Sequence, residues 1–183
     1  TVTAMSLGSA RLIAEAGAAA DTVALTVRDL TTQHVDNASN AVPRIGTRAR
    51  PFATVQAALA DATPGDTIAL HPGNRPYAES LALAGQLSVV GNDSAFRANA
   101  NDAAFLPVLS HETGAAAVSI ASGASILLRN LAIRHTVDGP AVDANGAGVR
   151  IENVHVNPGQ TFRVGRGFRI ANVTGPMITD SRA

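Results

Sequence analysis

Three stretches of this chain carry nearly the same pattern: ILLRNLAI at 126–133, VRIENVHV at 149–156 and FRIANVTG at 168–175. Aligned on Asn130, Asn153 and Asn172, each is apolar four and two positions before the Asn. These positions hold Ile126 and Leu128, Val149 and Ile151, and Phe168 and Ile170. The residue after each Asn is apolar as well (Leu131, Val154, Val173). Successive asparagines are 23 and 19 residues apart, short for a helical-pair repeat and close to one turn of a β-solenoid. Asn tolerates the left-handed backbone of a sharp bend, and its amide can bond to an Asn in the next coil. The alignment therefore predicts stacked coils with a structural ladder of Asn130, Asn153 and Asn172 between two apolar ladders.

Such a coil has a narrow interior, and the composition suits it. Aromatic residues make up only 3% and Trp is absent, so the core must be Val, Ile, Leu and Ala. Lys and Arg total 14 and balance 14 acidic residues, so no global field draws nucleic acid or an anionic membrane. No apolar stretch reaches membrane-span length, so no membrane insertion is expected. Cysteine is absent, which excludes disulfides and thiolate metal sites. The chain begins at Thr1 without an initiator Met or a basic-then-apolar leader. A processed or excised chain is expected, secreted or at the cell surface. The Ala-rich, Cys-free composition favours a bacterium over a eukaryotic secretory path.

Along the chain, SARLIAEAGAAA predicts a short, weak helix. DTVALTVRDL predicts a strand with Val23, Leu25 and Val27 on one face. A polar loop, HVDNASNAVPRIGTRARP, follows. TVQAALADATPGD then predicts a helix at 54–62 with Thr54 as N-cap, a stripe of Val55, Ala58, Leu59 and Ala62, and Pro64-Gly65 as terminator. TIALHPG, ESLAL and LSVVGN read as strands. The last fits the repeat frame, with Leu87 and Val89 inward and Gly91 in the Asn position. Gly91 lies 39 residues before Asn130, so this coil carries an insertion, expected at 92–104. Ala141-Val142 and Phe162-Arg163-Val164 are expected to supply a third short strand in successive coils. The final turn, Met177-Ile178, is followed only by Thr179-Asp180-Ser181-Arg182-Ala183, and no cap is expected over it. Residues 1–33 read as a strand-bearing appendage and 34–183 as the solenoid domain.

The segment PFATVQAALADATPGDTIALHPGNRPYAESLALAGQLSVVGN at 51–92 resembles the opening of right-handed parallel β-helix proteins of the pectate-lyase-like superfamily. The matching residues are Pro51, Phe52, Thr54, Val55, Gln56 and Ala58, then Pro64 to Ile68, then Pro72, Gly73, Tyr77 and Glu79, with Gly46-Thr47 upstream. The resemblance implies an all-β fold: a right-handed single-stranded parallel β-helix with a short N-terminal capping helix that plugs the barrel, preceded by the extra strand segment. It does not carry an activity. Pectin methylesterases of this superfamily would bring paired Asp residues, a Gln pair and an Arg. Pectate lyases would bring acidic calcium ligands with an Arg or Lys base. The esterase set is not present in the sequence, and only scraps of the lyase set are. No cofactor is expected, and calcium enters only with lyase chemistry.

The catalytic candidates are Arg134, His135, Asp138 and Asp143, with Arg150 and His155 one coil on. Coils ~4.8 Å apart would stack these on one face, where a carboxylate beside Arg or His serves as a base toward a sugar C–H or as a calcium ligand. The plainer reading outweighs it: HTVDGP is a solvated loop and His155 an outward strand residue. Arg150 and Arg169, each three before its Asn, with Arg163 and Arg166 nearby, would bind acidic sugars or simply cover surface. His34, His71 and His111 are far apart in sequence and assign no metal. Tyr77 and Glu79 read as structural, and VGRGF at 164–168 lacks the following helix a phosphate loop needs.

The resulting expectation is a structural module that self-associates through its open end into a filament, ring or surface layer. The assembly candidates are Val23, Leu25 and Val27 with Met177 and Ile178, and the partner is the chain itself. The alternatives are a polysaccharide-active lyase or esterase using the 134–155 cluster, and a carbohydrate-binding adhesin or tailspike-like fragment. The scarcity of aromatic sugar platforms weighs against the last.

Overall fold

The computed structural model describes residues 8–16, 19–27, 32–72, 76–91, 106–111, 116–136, 138–146, 148–156, 166–172 and 177–181. The fold is all-β with parallel sheets and a single short helix among these residues. The expected helix in SARLIAEAGAAA is instead a strand, β1 (Gly8–Ala16), paired antiparallel with β2 (Ala19–Val27). Ala, Leu and Glu favour a helix only weakly, and a cross-strand register that sets Leu12 opposite Val23 and Ala10 opposite Leu25 prevails.

β3 (Thr32–Val35) opens the main body, two residues before the boundary expected at 34. The helix α1 (Val55–Asp61) follows, with the Thr54 hydroxyl accepting from the Ala57 amide at 3.2 Å. It buries Val55 and Ala58 and packs against β3 and the next strand, β4 (Thr67–Leu70). Between them, Thr63 to Asp66 make a tight turn. Gly65 takes φ of +96° there, and the Asp66 carboxylate accepts from the Thr63 amide at 3.0 Å.

The remaining strands are β5 (Leu81–Leu83), β6 (Gln86–Gly91), β7 (Val108–His111), β8 (Val118–Ile120), β9 (Ser125–His135), β10 (Pro140–Asn145), β11 (Gly148–Val156), β12 (Arg166–Ala171) and β13 (Met177–Thr179). They divide between two sheets. One runs β12-β10-β8-β5 and the other β13-β11-β9-β6-β4-β3, with β7 beside the second half of β9. Every pairing in both sheets is parallel. From β8 onward the chain alternates strictly between the sheets, and each return lands next to the strand it left. The alternating inward residues form one apolar core, including Ile68, Leu83, Val89, Ile120, Leu128, Val142 and Ile151.

Two corners turn the chain, and both are left-handed. After the first part of β9 and β11, Asn130 and Asn153 have φ of 56° and 49°, and the Asn153 amide donates to the Asn130 side-chain oxygen at 3.0 Å. Gly91 stands in the same column, because Val90 pairs with Arg129. The third member differs from the expectation. β12 pairs with β10, with Phe168 opposite Val142 and Ile170 opposite Ala144. Asn172 (φ 52°) therefore belongs to the other corner, beside Gly146 (φ 71°), and its amide donates to Asn145 at 2.9 Å. The residue that stands over Asn153 is Asp180 (φ 51°), placed there by the pairing of Glu152 with Thr179. The β10 strand includes Ala141-Val142 as expected. The expected strand at Phe162-Arg163-Val164 and the insertion at 92–104 lie outside the described residues.

Candidate functional site

The two ends of the strand stack are built differently. At the β3 end the outer edge is occupied by the segment from Asp36 to Phe52. The His34 amide donates to the Gly46 carbonyl at 2.8 Å, the Phe52 amide to the His34 carbonyl at 2.9 Å, and the Asp36 amide to the Phe52 carbonyl at 2.8 Å. The Arg44 guanidinium ties this cover together by donating to the carbonyls of Ser39, Asp36 and Pro51. Glu79 fastens the helix, because its carboxylate accepts from the Val55 and Gln56 amides at 2.9 and 2.8 Å. An anion at a helix N-terminus satisfies otherwise orphaned donors. Tyr77 is buried, and its hydroxyl reaches the carbonyls of His71 at 2.6 Å and Val35 at 3.2 Å. Burial pushes its phenol pKa well above the ordinary value.

No described residue pairs with the outer edges of β12 and β13. Ile178, in the column of buried Ile151, is 47% exposed, and no described strand covers it. The Ser181 hydroxyl accepts from the Val154 amide at 3.0 Å and donates to the Thr179 carbonyl at 2.8 Å, folding the end of the described chain back onto the corner. Of the assembly candidates, Met177 and Ile178 lie on this edge strand. Val23, Leu25 and Val27 lie on β2, in a hairpin that shares no ladder with either main sheet.

The catalytic candidates do not come together as expected. Asp143 lies on the outer face of the four-stranded sheet, opposite Arg169, and the two form a bidentate pair with Nε to Oδ1 at 2.8 Å. This pairing raises the Arg169 pKa above its ordinary value. Arg150 lies on the seven-stranded sheet and pairs with Glu152. Arg150 and Arg169 are thus on different sheets and are not aligned. The guanidinium of each already faces a carboxylate. Arg166 begins β12 and Arg163 lies outside the described residues. His135 is buried at the end of the inward series Leu131, Ile133, while its neighbour Arg134 is exposed. Asp138 is exposed in the connection to β10. His155 is buried rather than solvent-facing, and its Nε2 lies 2.9 Å from the Asn153 side-chain oxygen, extending the corner ladder.

Sequence reasoning missed a histidine pair. His34 and His71, 37 residues apart, bring Nδ1 and Nε2 to 3.1 Å with ring centroids 5.3 Å apart. The parallel register of β3 and β4 sets His34 opposite Ala69, and His71 is the first residue after β4. Both rings are partly buried. Burial holds the His71 pKa below its ordinary value, Asp36 opposes that shift and Arg48 adds to it. Among the described residues no three His, Asp or Glu side chains gather to hold a metal ion.

Comparison with protein-family models, curated proteins and solved structures finds no match for this chain.

Proposed function

We propose that this chain is a secreted or surface-exposed right-handed parallel β-helix with a structural role, and that it assembles with copies of itself through its open end. The two-sheet alternation with parallel pairing at every return supports the β-helix reading. The carrying observation is the asymmetry of the ends. The β3 edge is closed by the Asp36–Phe52 cover, whereas among the described residues nothing pairs with the outer edges of β12 and β13 and the β1–β2 hairpin pairs only with itself. The outer edge of β13, which carries Ile178, spans three residues, and each hairpin strand spans nine. A hairpin from a second copy is long enough to extend that edge by strand addition. Such a contact joins two different surfaces, so it propagates into a ring or a filament. Arg169 is paired with Asp143 and Arg150 with Glu152, so these candidates do not converge on one site among the described residues.

The test is negative-stain electron microscopy with light scattering over a concentration series. It uses the wild type, Ile178→Lys and a chain lacking residues 1–30. Lysine on an edge strand blocks pairing, so rings or filaments of the wild type should vanish in both variants. Wild-type protein that stays a monodisperse monomer at high concentration sinks the proposal. Dimers that persist without residues 1–30 would show two open ends facing each other and would remove the hairpin from it.

A further inference from the structure

We propose that His34 and His71 form an acid-sensitive latch that keeps the Asp36–Phe52 cover on the edge of β3. The two ring nitrogens face each other at 3.1 Å, a distance at which one donates N–H and the other accepts through its lone pair. The pair tolerates two states. With both rings neutral, one donates to the other. With one ring charged, the same contact becomes a charge-assisted hydrogen bond. A second proton places an N–H on both nitrogens, removes the acceptor and leaves two cations in contact. The protons therefore bind the pair in two separated steps, and the second is opposed.

The latch acts on the cover because of where His34 sits. Its own backbone N–H and C=O hold Gly46 and Phe52, two of the three backbone bonds that fix the cover along this edge. Charged groups that act on His71 include Asp36, at the start of the cover, and Arg48, inside it. A doubly protonated pair repels Arg48 and is attracted by Asp36. Tyr77 fixes the other side, since its hydroxyl donates to the His71 carbonyl and does not titrate in the relevant range. The cover thus has a stationary support on one side and a titrating contact on the other.

The direction follows from linkage. The second protonation of the closed pair lies below the ordinary histidine value of about 6.5, in the same direction as the shift on His71. The closed cover keeps its full stability above about pH 6.5. It loses stability as the pH falls toward the depressed value, by roughly tenfold in the opening equilibrium per pH unit for one extra proton bound on opening. Opening exposes the backbone of His34 and adds a second free edge to the molecule. This inference does not depend on self-association and holds for a monomer.

The experiment is hydrogen exchange of the full chain from pH 7.5 to 4.5, corrected for intrinsic exchange rates. The cover amides of Asp36 and Phe52 are followed against the core amides of β9 and β11. Cover protection should fall roughly tenfold per pH unit below about 6 while core protection holds. In His71→Gln and His34→Asn, an amide keeps one hydrogen bond and the contact can no longer hold two cations, so the acid loss of cover protection should be smaller than in wild type. Cover and core protection that fall together, or an acid loss in both variants equal to wild type, would overturn the latch. Should a variant fail to fold, an NMR titration of the wild-type imidazoles decides. Two steps separated by more than one pH unit are expected, and two independent titrations at the ordinary histidine value would refute it.

Discussion

Gly91 offers the sharpest test of how the strands stack. The repeat frame sets it in the column of Asn130 and Asn153, so by pattern alone Gly91→Asn would lengthen the ladder. The geometry says otherwise. A Cβ at position 91 would stand 1.9 Å from the Asn130 carbonyl oxygen, 3.0 Å from its carbonyl carbon and 3.0 Å from Pro107 Cδ. Non-bonded atoms need about 3.5 Å, so some part must move by roughly 1.5 Å, and the obstacles are main chain and a proline ring. Overpacking costs about 1–3 kcal/mol when side chains can adjust. With backbone in the way the cost belongs at the upper end, about 3 kcal/mol, or a midpoint fall of roughly 6–12 °C in a chain this size. Thermal and urea unfolding followed by circular dichroism would measure it for Gly91→Ala and Gly91→Asn. Gly85→Ala is the control. Its φ is +68° but nothing lies within 4 Å of the added Cβ, so only the left-handed strain of about 1–2 kcal/mol remains. A Gly91→Ala protein melting within about 2 °C of wild type, or a Gly91→Asn protein more stable than Gly91→Ala, would refute the reasoning.

Other substitutions separate the structural roles. Asn153→Ala loses a left-handed residue that bonds both Asn130 and His155. It should cost about 2–4 kcal/mol in urea unfolding, and Asn153→Gly distinctly less, because glycine keeps the bend. Tyr77→Phe removes the hydroxyl from the His71 carbonyl and should cost about 1–2 kcal/mol by the same assay. Glu79→Ala frees two helix amides and should lower stability by about 1–2 kcal/mol, with exchange increasing first at Val55 and Gln56. Arg169→Ala should leave the unfolding midpoint unchanged, because its pair with Asp143 lies at the surface.

The apolar-x-apolar-x-Asn pattern announced a strand followed by a left-handed bend, and it did so correctly at Asn130, Asn153 and Asn172. It did not announce which corner. Both corners need the same backbone, so FRIAN and VRIEN look alike although one strand joins the four-stranded sheet and the other the seven-stranded sheet. Met177 to Asp180 is the true continuation of the Asn153 column, disguised because Asp replaces Asn. The 19-residue step, four shorter than its predecessor, was the available warning. The N-terminal hairpin was half legible. The alternation in β2 was visible, but the Ala-rich β1 takes its conformation from its partner. The helix and its Thr54 cap were carried by local signals, and so were readable. The histidine pair was not. Its two members meet only through the parallel register of β3 and β4, which no local spacing records.

The corner that holds Asn145, Gly146 and Asn172 also sets how this protein ages. In an Asn-Gly pair the glycine nitrogen readily attacks the asparagine side-chain carbonyl, closing a succinimide and expelling ammonia, and hydrolysis then leaves aspartate or isoaspartate. Asn145 is solvent-exposed, yet both reacting groups are engaged. The Gly146 nitrogen donates to the Ala171 carbonyl at 3.0 Å, and the Asn145 side-chain oxygen accepts from Asn172 at 2.9 Å. Both restraints come from the segment carrying β12. Each excursion of β12 away from β10 therefore runs a slow, irreversible clock. Its isoaspartate product would add a backbone atom between Asn145 and Gly146, at the end of β10, and so displace the Gly146 nitrogen from the Ala171 carbonyl.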